Sequence, residues 1–402
     1  MSEETIKNKF SYKELIKGII IISLSGYGGP ALMGVTKKKF VDEKKWVDEE
    51  EFLESLSVSQ ALPGAISVNL MATLGLKLKG FWGTFIFPLF FILQAFTFII
   101  IQTSIYIRYG NVDFVKTIFT GLGALVVSLF LYATTILAKP IFGKPSIKSI
   151  KSYLITLIIF LLNFFTNTHL FLLILLSGLA GFLFYYFTDE IKEREKINFE
   201  ETETKNNIFK RSAIFFFLLY ISGVVTIYFL SPFLWTLFHN FFRIGMLGFG
   251  SGYAVIPLIQ DVAVTKLGLV TLKEFTDGIA MGQITPGPVF ITTTYVGFKS
   301  AGFSGAIVST IASYSPSIFI ILILNKSIIK ISHTKIFKTI IKGILAGFIG
   351  LFGKIIIQFA TNSLINWQTW LIFAVCIFIL FVLKKESYWA VLSAITLSIV
   401  LF

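Results

Sequence analysis

Residues 60–64 read QALPG, and residues 283–287 read QITPG, which is the same pattern 223 positions later. A second string, GLKLKGFWG at 75–83, returns as GFKSAGFSG at 297–305, a spacing of 222. Chance similarity between apolar segments would not keep Gly, Pro, Gln and Lys in register over such a distance. The sequence therefore predicts an internal duplication, and a long-period repeat of this kind governs how the rest of the chain is interpreted.

The composition places both copies in a membrane. The chain has 402 residues, of which 55% are hydrophobic and only 14% are charged, whereas soluble domains carry about 25% charged residues. Apolar stretches of about 20 residues recur along the length, as transmembrane helices require. They are continuously apolar, which disfavours a β-barrel. The net charge of +13 is typical of cytoplasmic loops rich in Lys and Arg and does not call for nucleic acid.

Hydropathy predicts an all-α polytopic membrane protein with about thirteen helical segments. The first copy occupies 1–187, a charged cytoplasmic linker follows at 188–211, and an extra helix precedes the second copy within 212–402. The predicted segments are 15–36, 52–74, 83–107, 117–138, 152–167, 169–187, 212–231, 233–259, 275–297, 303–324, 338–360, 367–383 and 387–402.

Two of these segments, 52–74 and 275–297, are only moderately apolar and carry Pro-Gly in the middle. They are either broken spanning helices or re-entrant hairpins. If all thirteen segments span, the inner loops hold 24 Lys and Arg and the outer loops hold 8; if these two turn back, the split is 20 to 12. The positive-inside rule favours thirteen spans, with the N-terminus cytoplasmic and the C-terminus outside.

The number of spans also fixes the relative orientation of the copies. Seven spans separate the start of the first copy, at residue 15, from the start of the second, near residue 233. Because seven is odd, the halves are predicted to form an inverted-topology pair, as in many secondary transporters. The N-terminus shows no cleavable signal pattern, so the first helix is expected to serve as the targeting signal.

Each half contains two helix-breaking clusters at membrane depth. The first is SGYGGP at 25–30, matched by GFGSG at 248–252, and the second is the QALPG and QITPG pair. Interrupted helices expose N–H groups and a positive dipole end that attract anions. The alternative is that Gly and Pro only permit close packing or a kink. The predicted substrate-binding residues are Gly28, Gly29, Pro30, Gln60, Pro63, Gly64, Asn69, Gly250, Gly252, Gln283, Thr285, Pro286, Gly287 and Thr292.

Four charged residues near these breaks are candidates for anion attraction or coupling. Glu54 and Asp277 occupy equivalent positions and either carry a coupling proton or cap a helix start. Arg243 either attracts the anion or snorkels to the interface, and Lys354 either lines the path or pairs with an acid.

Motifs for other chemistry are absent. The sequence contains no P-loop, no G-x-S-x-G and no H-E-x-x-H, its three histidines lack metal-ligand spacing, and its single cysteine is Cys376. An enzyme, a metal site and a cofactor are therefore not predicted.

These motifs resemble the chromate ion transporter family in its long form, which has two fused homologous domains. The resemblance rests on GYGGP at 26–30 with LPG at 62–64 and Asn69, and on GFGSGYA at 248–254 with TPGP at 285–288. It departs at 63–65, where this chain has Pro-Gly-Ala and the family often has a second proline.

The resemblance implies a plasma-membrane secondary transporter that exports chromate, with sulfate as the structural analogue. The partners are then the oxyanion and the bilayer, with no nucleic acid, and a homodimer is an open alternative. An inside-negative potential would drive the export of a dianion, and proton coupling is optional. The alternatives are a transporter of sulfate, molybdate or another anion, and an anion channel.

Overall fold

The computed structural model describes residues 10–26, 29–143, 149–166, 168–187, 207–249 and 252–402. Within these ranges the regular structure is helical, and no strand occurs. This confirms the all-α prediction. The α-helices are α1 Tyr12–Ser25, α2 Gly29–Lys37, α3 Glu49–Ala61, α4 Ile66–Tyr109, α5 Asp113–Phe142, α6 Ile150–Phe165, α7 Leu170–Tyr185, α8 Asn207–Leu230, α9 Pro232–Leu247, α10 Ile256–Gln260, α11 Leu272–Ile284, α12 Thr292–His333, α13 Lys335–Ser363, α14 Trp367–Ile377 and α15 Ser387–Leu401.

Helices α1 and α2 form the two arms of a hairpin, which we call hairpin A. A π-helical turn, Lys38–Glu43, extends α2. It brings the chain back beside the start of α1, where Lys44 forms an ion pair with Glu14 at 3.3 Å. Beyond that turn, the Trp46 indole packs directly against Gly18. Each arm of about 14 residues is about 21 Å long, which is shorter than the apolar thickness of a bilayer, about 30 Å.

Helix α3 and the first part of α4 form a second hairpin, hairpin B. Its arms run antiparallel, because the Ser59 and Thr73 hydroxyls are 2.9 Å apart and Lys77 forms an ion pair with Glu54 nearer the open end. A capping box built from Asp48 and Glu51 fixes the start of α3. Acidic residues at this position interact favourably with the positive end of the helix dipole.

The sequence predicts a span at 15–36 and leaves 52–74 open between a broken spanning helix and a re-entrant hairpin; in the structure each segment folds into a hairpin. Both segments turn back at their Gly and Pro residues, so each has its two ends on the same side. Composition alone does not distinguish the two forms, because two short apolar arms joined at a tip have the same composition as one broken span.

Helix α4 makes a sharp turn at Gly80, whose φ of 61° and ψ of −143° are not helical. The equivalent turn in α12 is at Gly302, with φ 62° and ψ −148°. Beyond these turns the long arms of the two helices pack against each other: Phe85 meets Phe319 edge to face, with ring centroids 6.4 Å apart, and Phe96 meets Phe303 in the same way at 6.1 Å. Residue numbers rise along one arm as they fall along the other, so these equivalent helices are antiparallel.

The chain divides into two compact units, and each unit draws on both halves of the sequence. Unit 1 comprises Met1–Ile101, Lys196–Gly248 and Thr285–Ile329. Unit 2 comprises Gln102–Glu195, Phe249–Ile284 and Lys330–Phe402. In unit 2, α13 packs closely on α7, because Gly343 and Gly181 bring their backbones into direct contact.

In the part of the chain that the structure describes, four helical stretches are long and apolar enough to cross a membrane: Ile66–Tyr109, Asp113–Phe142, Val289–Leu322 and Lys335–Ser363. Five shorter apolar helices accompany them: Ile150–Phe165, Leu170–Tyr185, Ile214–Leu230, Trp367–Val382 and Ser387–Leu401. The chain is thus a polytopic membrane protein, as predicted.

Candidate functional site

The helix breaks of unit 1 meet in pairs, and each pair joins the two halves of the sequence. The N–H of Gly64, at the tip of hairpin B, donates to the carbonyl oxygen of Gly248 at 2.6 Å. The N–H of Gly287 donates to the carbonyl oxygen of Gly26, at the tip of hairpin A, at 3.2 Å. Since Gly64 is equivalent to Gly287 and Gly26 to Gly248, the two hydrogen bonds are the same contact made twice.

Glycine is required at both donor positions. Gly64 has φ 103° and Gly287 has φ 131°, a conformation in which a residue with a side chain is strained by about 1–3 kcal/mol. Space is also lacking: a Cβ on Gly64 would lie 2.8 Å from the Ser317 hydroxyl oxygen, and one on Gly287 would lie 2.8 Å from the Cβ of Ala95. The Pro-Gly pairs are thus the sharp turns at which the chain reverses.

Three helices of unit 1 begin at these tips. Helix α2 starts at Gly29, α4 at Ile66 and α12 at Thr292, the last after a single 3-10 turn, Val289–Ile291. The first N–H groups of a helix lack partners within it, and they carry the positive end of its dipole. The starts of α2 and α4 therefore offer backbone donors, whereas the N–H groups of Gly64, Gly287 and Thr292 are themselves engaged.

Asn69 holds the tip of hairpin B together. Its side-chain amide donates to the carbonyl oxygens of Pro63 at 3.0 Å and Ser59 at 3.3 Å, which lie at the carboxyl end of α3. Its Oδ1 is buried without a hydrogen-bond partner. In the second half the equivalent residue, Thr292, bonds to the Val289 carbonyl at 3.0 Å. Both residues thus satisfy backbone groups that the break sets free.

Two side chains near the tips were not predicted from the sequence. Tyr314 is buried, its ring lies 5.6 Å from that of Phe290, and its hydroxyl has no hydrogen-bond partner. One turn further, Ser317 lies against Gly64. Both are in the apolar stretch of α12, well outside the duplicated strings, and a buried hydroxyl in such a stretch was the only signal for them.

The other predicted residues of unit 1 have varied positions. Pro63, Thr285 and Pro286 are buried at the tips, whereas Gln60 and Arg243 are exposed. Glu54 is neutralised by Lys77. Gly29 and Pro30 open α2, while Gly28 and Gly250 lie outside the described residues.

Unit 2 contains the remaining predicted residues. Gln283 is buried and accepts a hydrogen bond from the Tyr253 hydroxyl at 2.9 Å, while its amide nitrogen has no partner. Asp277 is also buried and accepts a hydrogen bond from the Tyr106 hydroxyl at 2.6 Å. Gly252 begins a 3-10 turn, and the Lys354 ammonium donates to the Asn163 carbonyl at 2.7 Å.

The paired tips can therefore present backbone dipoles and neutral polar side chains to a ligand. Among the residues that the structure describes, no cluster of three or more His, Cys, Asp or Glu side chains is arranged to hold a metal ion.

Comparisons with known proteins identify transporters among the relatives of this chain. The chain is 32% identical over 395 residues to an uncharacterized transporter of Methanocaldococcus jannaschii, an alignment that covers 98% of this chain and 94% of the relative. It is 27% identical to a probable chromate transport protein of Synechococcus elongatus, covering 90% and 88%, and 24% identical to a chromate transport protein of Cupriavidus metallidurans, covering 94% and 90%. No solved structure matches.

The family comparison matches both halves of the chain separately. Chromate transporter sequences match residues 13–182 and again residues 235–399, which together make up most of the protein and correspond to the two copies of the repeat. The chain thus belongs to the chromate transporter family, in its long two-domain form.

Proposed function

We propose that this protein is a secondary transporter that exports chromate, or a similar tetrahedral oxyanion, across the plasma membrane. The observation that carries the proposal is the pair of symmetric hydrogen bonds, Gly64 to Gly248 and Gly287 to Gly26. They hold hairpin tips of both halves together, with helix N-termini beginning there. Irregular backbone at membrane depth is tolerated where it lines a cavity or is buried in protein, and discontinuous helices form the substrate sites of many transporters.

The proposed binding mode uses dipoles and no fixed positive charge. The donors are the first N–H groups of α2 and α4, supported by the Tyr314 hydroxyl, which has no hydrogen-bond partner. The Ser317 hydroxyl donates to the Tyr314 carbonyl oxygen at 3.1 Å and is an acceptor at this site. Arg243 is exposed and is not included. Neutral donors replace part of the water shell of an oxyanion without trapping it, so release on the far side stays fast.

The membrane potential supplies a sufficient driving force for export. Moving one charge across 100 mV is worth about 2.3 kcal/mol, and a dianion gains twice that on leaving a cell that is negative inside. In a proton-coupled mechanism, the residue that carries the coupling proton is Asp277 and not Glu54. Asp277 bonds to a neutral tyrosine hydroxyl, whereas Glu54 is already neutralised by Lys77.

We further infer that the first four arms of each half are re-entrant, so that each half contributes two hairpins and four spans. Hairpins A and B supply the pattern, and the matching geometry at Gly80 and Gly302 and at Gly64 and Gly287 extends it to the second half. Five spans, including α8, then separate the starts of the halves. Five is odd, so the inverted arrangement of the halves is retained.

This topology gives a stronger charge bias than thirteen spans. Of the 35 Lys and Arg, 28 fall on the cytoplasmic side: eleven before residue 80, four at 139–151, six at 192–211, five at 326–342, and Lys384 with Lys385. Six fall on the outer side, and Lys354 lies within α13. The bias supports a cytoplasmic N-terminus, a cytoplasmic linker at 188–211 and an outer C-terminus.

The two topologies place two exposed lysines on opposite sides. In a Cys376→Ser background, we expect Lys38→Cys to react with a membrane-impermeant maleimide only from the cytoplasm, and Lys273→Cys only from outside. Thirteen spans require the reverse. Val112→Cys, outside in both arrangements, and Glu386→Cys, inside in both, are matched controls, since all four positions are exposed.

Transport itself is tested in inverted membrane vesicles with a clamped potential. We expect saturable uptake of radiolabelled chromate, faster when the vesicle interior is positive and inhibited by excess sulfate. Empty vesicles are the control.

Other outcomes separate the alternatives. Uptake of sulfate or molybdate but not chromate would reassign the substrate, and current that does not saturate would indicate a channel. A requirement for a pH gradient would indicate proton coupling. Failure to move any oxyanion, with insertion verified, would contradict the proposal.

A further inference from the structure

Unit 2 contains a polar cavity of about 300 Å³ that the proposed transport site does not use. It lies where the end of α6, the start of α7 and the π-helical turn after α10 approach the carboxyl-terminal half of α13. Its lining includes Gln260, Lys266, Lys354 and Gln358. So many polar side chains around one cavity are unusual in a protein of such high apolar content, and they indicate a ligand.

The charges in the cavity do not cancel. Asp261 is paired with Lys266, the carboxylate Oδ2 and the ammonium lying 2.6 Å apart. The ammonium of Lys354 donates to the Asn163 carbonyl at 2.7 Å, and no carboxylate lies within ion-pair distance of it among the described residues. One positive charge is therefore left over. Partly buried charge of this kind is expensive unless a counter-ion or water offsets it.

A second observation also indicates a ligand. Gln260 is only 6% exposed and its amide nitrogen donates to Gln358 Oε1 at 2.8 Å, but its own Oε1 is buried without a partner. An unsatisfied buried acceptor costs about 1–3 kcal/mol. A hydrogen-bond donor is therefore missing from the cavity.

The start of α7 adds to the positive potential. His169 occupies the N-cap position, and its side chain makes no capping hydrogen bond to the first N–H groups of this 16-residue helix. His169 and the neighbouring Thr166 and Thr168 also line the cavity. Helix N-termini favour anions. The Thr166 hydroxyl donates to the Leu162 carbonyl oxygen at 2.5 Å and lies 2.6 Å from the Thr168 hydroxyl, so the threonines contribute polar lining.

The geometry points to a second anion-binding site in this cavity, selective for a small oxyanion that carries a proton or a bound water. Lys354 supplies the charge, the start of α7 supplies backbone donors, and the proton or water of the ligand donates to Gln260 Oε1. Under the topology proposed above, this site opens to the outer face, where an exported anion would be released.

The test uses a reporter cysteine at the rim and does not depend on transport. Thr265 lines the cavity and is exposed, so Thr265→Cys is introduced into the purified full-length protein with Cys376→Ser. We expect a negatively charged thiosulfonate to react faster than a neutral one. Sulfate, compared with chloride at equal ionic strength, should slow the charged reagent.

Removing the unpaired charge should abolish this behaviour. Lys354→Gln is expected to lower the rate with the charged reagent at least about threefold, as loss of one nearby charge predicts, and to remove the sulfate effect. Lys354→Arg should retain it. Lys342→Gln is the matched control on the same helix, because that ammonium lies over the Tyr185 ring, 4.1 Å from its centroid.

The result that overturns the inference is a sulfate-insensitive rate that is equal in the Lys354→Gln and parent proteins. If Lys354→Gln does not fold, Gln260→Leu replaces it, with the same expected loss of sulfate protection, because the buried acceptor that the ligand uses is removed. A protein that transports no oxyanion but keeps sulfate protection would contradict the proposed function and still support this site. A protein that transports an oxyanion without sulfate protection would contradict this site and still support the proposed function.

Discussion

Replacing Gly64 by alanine is expected to lower the initial rate of oxyanion transport at least about tenfold. The new Cβ meets Ser317 in a tip held at φ 103°, and such strain costs about 1–3 kcal/mol. The tip relaxes by moving away from Gly248, which breaks the 2.6 Å hydrogen bond between the halves. About 1.4 kcal/mol of lost stabilisation at the site is already a tenfold change in rate.

The rate is measured with reconstituted protein, normalised to the amount inserted. Gly34→Ala is the matched control, because Gly34 is a helical glycine of unit 1 and an added Cβ there would meet no atom within 4 Å. Gly287→Ala should repeat the Gly64 result, since the same contact is made there. Unchanged transport in both tip variants would show that the tips do not form the substrate site.

Replacing Gly83 by alanine is expected to cause the largest loss of stability, about 3 kcal/mol, which is the upper end of the range for overpacking. The added Cβ would lie 2.0 Å from the carbonyl oxygen of Gly75, and one on Gly75 would lie 2.1 Å from that of Gly83. The backbone on the other side of the Gly80 turn in α4 cannot move aside as a side-chain end can. Close glycine contacts of this type hold membrane helices together.

Thermal unfolding and monodispersity in detergent measure this effect. Gly297 and Gly305 meet in the same manner, so Gly305→Ala should be similarly destabilised. Gly223→Ala on α8 provides the control, because nothing lies within 4 Å of a Cβ added at that position. A wild-type unfolding temperature in Gly83→Ala would mean that the two arms of α4 accommodate the added methyl group at no cost, contrary to the structure.

The sequence was sufficient to find the breaks but not their geometry. Gly64 and Gly287 were identified because Pro and Gly recur in register, and both prove to be turning points. That the arms fold back depends on contacts such as Ser59 with Thr73, which join residues 14 apart and have no hydropathy signature. Arm length was the available clue, since neither arm alone reaches across a bilayer.

The equivalence of paired residues was also overestimated. Gln60 and Gln283 align, yet one is exposed and the other is buried against Tyr253. Glu54 and Asp277 align, yet one has a lysine partner and the other a tyrosine. A duplication conserves the backbone path, while each copy is free to change the side chains around it, and a single sequence does not reveal which neighbours have changed.

The tip-to-tip hydrogen bonds also impose an order on biosynthesis. Gly64 leaves the ribosome 184 residues before Gly248, its acceptor. At about 5–20 residues per second, hairpin B waits roughly 10 to 40 seconds with its turning-point donor unpaired. During that interval the first half has to be inserted in the membrane with an open tip, and only the arrival of the second half, inverted, closes it. A chaperone or insertase that shields polar backbone within the bilayer would therefore act on the first half before the second half has been synthesised.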